Sequence, residues 1–226
     1  MLWLKAWMET RWKAAWMLFA GALFYGLVLA EARKAPTSLL AMGVLFSVLV
    51  TIFLAGTGIE TTSTRPGESA KGSEGSKLFT LSLPVTRARI FCVRTVIGLL
   101  EAGVLLSLLA IAAWLLLPSL AGNADDALGT FAVIVSFSVA VYAISACLST
   151  FCDEGWRIRL SVLAVAGIFV LSASHRLPPA IDVLRSLVSE SPLVTHRMPW
   201  DAIFTACVLA IVFFAATLMI VQKRDY

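Results

Sequence analysis

Six long stretches almost free of charge alternate with polar segments along this chain, at residues 14–30, 38–59, 90–117, 128–151, 158–174 and 201–221. About 20 apolar residues in a helix cross the roughly 30 Å hydrocarbon layer of a bilayer. Such a run is helical because no water is present there to satisfy an open backbone. The pattern predicts an all-α integral membrane protein with six transmembrane helices forming one transmembrane domain over residues 1–226. Ahead of the first run, Lys5, Glu9 and Lys13 fall on one helical stripe, with Trp3, Leu4, Trp7, Met8 and Trp12 opposite. This predicts an N-terminal amphipathic interfacial helix over residues 1–13, lying flat at the membrane surface with its tryptophans at the headgroups. The other reading makes it the ragged start of the first span.

Composition supports the membrane and excludes a soluble domain. The chain is 59% apolar and 14% charged, with a mean hydropathy of +0.89, against about 45–50% and 25% in soluble domains. Ala30-Glu31-Ala32 imitates a signal-peptide cleavage site, but the preceding apolar run exceeds the usual length of about 7–15 residues and reads as a span. The net charge of +4 is scattered between apolar runs, with no stripe for nucleic acid. It reports orientation instead. With six spans both termini share a side, and a cytoplasmic N-terminus leaves only Arg33, Lys34, Arg176, Arg185 and Arg197 outside. The other basic residues then lie within, placing both termini at the cytoplasmic face of the cell's inner membrane. Cys92, Cys147, Cys152 and Cys207 have neither CxxC nor metal-ligand spacing and read as small buried hydrophobes.

Residues 60–89 form a polar connection between spans two and three. Its Ser/Thr/Gly-rich part, 61–76, is flexible by composition. It is not a phosphate loop, since Ser73 stands where the motif needs lysine. The following segment is too short and polar to span: Leu78, Leu81 and Phe79 can share one face of a short helix, Pro84 ends it, and Arg87 and Arg89 anchor the next span. Such a helix offers a handle to a soluble partner; packing against the membrane alone explains its apolar face equally well.

Glu74, Gly75, Ser76, Leu78, Leu81, Leu83, Pro84, Val85, Thr86 and Arg87 follow, in register, a run found after the second span of ABC-2 type ABC transporter permeases, which this segment resembles. The ending Val221-Gln222-Lys223-Arg224-Asp225-Tyr226 also resembles that family's finish. The insert 61–72 departs from it, where such proteins often continue helically. The resemblance implies a cytoplasmic coupling helix between spans two and three, with Lys77, Leu78, Phe79, Leu81, Leu83, Pro84, Val85, Thr86, Arg87 and Arg89 facing an ABC ATPase subunit. It also implies a second permease copy or a homologous permease, with ATP and Mg in the ATPase and no cofactor in this chain.

On the outer side, within residues 175–200, Ile181, Leu184, Leu187 and Val188 recur at helical spacing. They predict an amphipathic helix on or dipping into the outer leaflet, and the resemblance implies the same re-entrant element. His175 and His196 read as ordinary exposed loop residues. The third apolar run would be about 42 Å long, so Arg94 can snorkel from its end. Glu101 lies near its middle, where a carboxyl is protonated, paired or facing water. It is either functional or bonded to a serine or threonine of a neighbouring helix. Gly98 and Ala102 form a small-xxx-small pair that admits another helix or a second copy.

No catalytic or nucleotide-binding motif is recognisable, so the chain is expected to move or hold something rather than transform it. The leading expectation is the permease subunit of an ATP-driven exporter of amphipathic or hydrophobic substrates, in contact with membrane lipid. The alternative is a non-transporting scaffold or immunity-type binding protein.

Overall fold

A computed structural model describes residues 2–32, 36–54, 87–116, 124–152, 154–174 and 195–223. Among these there are six helices: α1 (Leu2–Ala32), α2 (Pro36–Leu54), α3 (Arg87–Leu116), α4 (Ala124–Leu148), α5 (Glu154–Ala173) and α6 (Trp200–Lys223). The helix ends carry local signals. Pro36 opens α2, where its missing N–H costs nothing. Asp125 and Asp126 occupy the first turn of α4, and Asp201 that of α6, while Lys223 sits in the last turn of α6. Each charge suits the helix dipole. Beyond α4, Ser149 and Thr150 donate their hydroxyls to the carbonyls of Ala146 (2.6 Å) and Cys147 (2.7 Å).

Among the described residues, three stretches are long and apolar enough to cross a membrane: Ala88–Ala112, Ala124–Leu148 and Trp200–Lys223. They mark a membrane protein. The burial pattern agrees, because Leu100, Leu163, Phe204 and Ile211 face outward while Thr10, Thr51, Ser145, Arg157 and Thr217 are buried. In water this arrangement would leave the apolar surface uncovered.

Consecutive helices run in opposite directions, as their contacts show. On α1 and α2, Gly21 meets Phe46 while Ala14 and Met17 pack on the cluster holding Val50 and Leu54. Leu54 lies beside Gly98 of α3, and Tyr142 of α4 meets the same glycine. The largest interface joins α4 to α6, where Ala140 and Ala143 face Ala206 and Ala210. Four alanines allow close backbone approach, which matters where lipid supplies no hydrophobic drive between helices.

One expectation is corrected here. Residues 2–13 do not form a separate surface helix but continue without interruption into the first apolar run as α1. Hydropathy changes near residue 13, but helix-forming tendency does not, since residues 2–20 contain neither Gly nor Pro. The expected coupling helix (Lys77, Leu78, Phe79, Leu81, Leu83, Pro84, Val85, Thr86) and the external helix with Ile181, Leu184, Leu187 and Val188 lie outside the described residues.

Candidate functional site

The end of the bundle holding the close of α2 and α4 and the start of α3 and α5 carries a tier of buried polar side chains. Arg157, in the first turn of α5, is 0% exposed. Its Nη1 donates to the Ile52 carbonyl at 2.8 Å and to the Ser145 hydroxyl at 3.1 Å. Ser161, one turn further along α5, donates to the same Ser145 oxygen at 3.1 Å. Ile52 belongs to the last turn of α2, whose carbonyls lack donors within their own helix. A guanidinium there supplies a donor and a positive charge at the negative end of the helix dipole. Burying a cation costs several kcal/mol; the two Nη1 bonds offset part of that cost and tie α2, α4 and α5 together at one point.

Tyr142 extends the tier toward α3. It is buried, three residues before Ser145, and its hydroxyl donates to the Thr95 carbonyl at 3.2 Å. Gly98 makes room for it: a Cβ at Gly98 would collide with the Tyr142 hydroxyl and stand 3.2 Å from the Leu54 carbonyl oxygen. Tyr142 is within electrostatic range of both Arg157 and Glu101. Glu101 in turn accepts a 2.5 Å hydrogen bond at Oε1 from the hydroxyl of Thr10 on α1. Its Oε2 is buried and has no hydrogen-bond partner among the described residues.

The structure therefore gives Glu101 a threonine from a neighbouring helix. That bond also sets α1 at the level of Glu101. Arg94 is not extended to the surface as expected; it is 8% exposed, one turn below Gly98 on the same face of α3. Gly98 packs against Tyr142 and Leu54, and Ala102 sits among Phe46, Val50, Leu54 and Leu105. Both small residues thus face helices of their own chain. Arg89 is exposed, and Arg87 is the first residue of α3. All four cysteines are free, but Cys92 and Cys207 are exposed rather than buried. They lie on lipid-type surface, where a thiol serves as a small apolar group. His196 is exposed yet tied down, its Nδ1 lying 2.5 Å from Asp126 Oδ2. Its φ of 52° is one that side chains other than glycine seldom adopt.

Comparison with family models, curated proteins and solved structures finds no match.

The tier consequently rests on its own chemistry. It contains two cations, a carboxyl, a phenol and several hydroxyls contributed by α1, α3, α4 and α5, gathered around the last carbonyls of α2. Sequence reading missed Arg157, Tyr142 and Thr10. Arg157 looked like a loop charge because the apolar run begins at Ile158, whereas the helix begins a turn earlier. A usable signal was present: Arg157 and Ser161 lie one turn apart just after the α4–α5 connection, and Ser145 lies one turn before its end.

Proposed function

We propose that this chain is the membrane-spanning permease subunit of an ATP-driven exporter of the ABC-2 type. All six helices cross the cytoplasmic membrane, with both termini in the cytoplasm. Two such subunits work with two separate ATPase subunits, which hold the ATP and Mg. The observation that carries the proposal is the anchoring of the end of α2, just ahead of residues 55–86, in the buried tier and against the middle of α3. The Ile52 carbonyl is held by Arg157, and the Leu54 carbonyl rests beside Gly98. A push on the intervening segment is thereby delivered to α2 and α3 together, then through Arg157 and Tyr142 to α4 and α5.

An ATPase can drive such a bundle only if its ATP-bound and ATP-free forms favour different helix arrangements. Leu78, Phe79 and Leu81 supply the contact with it, Arg87 and Arg89 orient the segment at the headgroups, and Pro84 separates the handle from α3. A pathway between apolar helices suits amphipathic or hydrophobic cargo.

The test begins with purification of the complex from its native membrane, where a P-loop ATPase is expected to accompany the chain. In reconstituted vesicles, Phe79→Asp or Leu81→Asp should lower substrate transport by about tenfold or more, the effect of losing roughly 1.4 kcal/mol of coupling, with insertion unchanged. Parental coupled transport in both variants, or a complex without any ATPase, defeats the proposal.

A further inference from the structure

The outward face of α5 has the chemistry of an anionic phospholipid laid along a helix. Trp156, Arg159, Leu163, Gly167 and Val170 are spaced three or four residues apart and so share one side. All are exposed, with Trp156 at 59%, Leu163 at 65% and Val170 at 67%. The guanidinium carbon of Arg159 stands over the Trp156 ring at 5.5 Å from its centre. A guanidinium stacked in this way keeps its N–H edge available, in the fork geometry that matches a phosphate. Above the pair, a Cβ at Gly167 would meet nothing within 4 Å. The helix surface is therefore indented between Leu163 and Val170.

We propose that this face is a binding site for an anionic phospholipid. The phosphate meets Arg159, the glycerol region rests on Trp156, and one acyl chain follows Leu163 into the indentation at Gly167 and on to Val170. Charge decides the headgroup, since described exposed cations at this end include Arg89, Arg159 and Lys223 while three aspartates, Asp125, Asp126 and Asp201, outnumber Arg197 at the opposite end. The same order of groups recurs on α1, where Arg11 lies over the Trp7 ring at 6.0 Å and Leu18 is exposed two turns on. The site needs only a bilayer around the helices and does not depend on an ATPase partner.

Native mass spectrometry of the full chain in detergent, titrated with phosphatidylglycerol or phosphatidylcholine of matched acyl chains, tests the site. The parent should retain phosphatidylglycerol preferentially. Arg159→Gln should lower that retention about fivefold, as expected for one surface cation, and leave phosphatidylcholine unchanged. Arg159→Lys, which keeps the charge but loses the fork, should fall between. Gly167→Leu should weaken both lipids by filling the chain's path, and Arg197→Gln at the far end should weaken neither. Equal retention of the two lipids by the parent, or undiminished phosphatidylglycerol in Arg159→Gln, overturns the proposal. So does efficient cross-linking between copies through Leu163→Cys in a cysteine-free background, which would mean that a second copy covers this face.

Discussion

At residue 98 the absence of a side chain decides how closely α3 and α4 meet. Replacing a helical glycine by alanine is ordinarily favourable by about 0.5–1 kcal/mol. Here the added carbon would occupy the place of the Tyr142 hydroxyl, and overpacking of this kind costs about 1–3 kcal/mol. The clash wins, so Gly98→Ala should destabilise the protein despite its better helix propensity. Tyr142→Phe removes the obstructing oxygen and leaves the ring carbon, Cζ, at 3.1 Å. In that background the cost of Gly98→Ala should shrink. A double-mutant cycle of unfolding midpoints in detergent measures the coupling, and an identical cost in both backgrounds would show that the hydroxyl is not the obstacle. Arg157 poses the same kind of problem with opposite chemistry: its value lies in what its donors satisfy, since an unmet buried carbonyl costs about 1–3 kcal/mol.

Among elements, α1 is joined to α3 by a polar bond from Thr10 to Glu101. Among its described residues, Ala14, Met17 and Gly21 are set against Phe46, Leu105 and Leu109. Thr10→Val keeps the side-chain volume and removes the donor to Glu101, at an expected cost of about 0.6–1.7 kcal/mol for an interhelical bond in lipid. Glu101 then loses the hydrogen bond to its Oε1, so Glu101→Ala should recover part of that loss when combined with Thr10→Val. Denaturant unfolding of the two single variants and the double variant checks this; strictly additive effects would mean that the two side chains do not interact. The elements were legible in the sequence because uncharged runs of this length have few alternatives to helix. Their ends were less so: α5 starts before its apolar run, and α1 continues through a change in hydropathy that carries no helix breaker. The Thr10–Glu101 pairing spans 91 positions, so only the fold brings it together. Glu101 could be recognised as needing a partner, but nothing local named Thr10.

For the whole molecule, the described charges divide the bundle into two unlike ends. Arg89, Arg94, Arg157, Arg159 and Lys223 gather where α2 and α4 finish, with Glu154 among them, whereas Asp125, Asp126 and Asp201 gather where α4 and α6 begin, with Arg197 beside them. Retention of Lys and Arg on the cytoplasmic side favours one insertion of such a bundle. Asp/Glu contribute little to that choice, so the acidic end follows from the basic one rather than helping to set it. In intact cells carrying a cysteine-free background, Asp125→Cys should react with a membrane-impermeant maleimide, while Lys223→Cys should react only after permeabilisation. The reverse pattern would put residues 55–86 on the side away from cytoplasmic ATP, because α2 ends and α3 begins at the Lys223 end of the bundle. It would remove the transporter proposal while leaving the helix packing intact. The phospholipid site on α5 would survive that reversal as well, since Arg159 would still meet headgroups, now in the opposite leaflet.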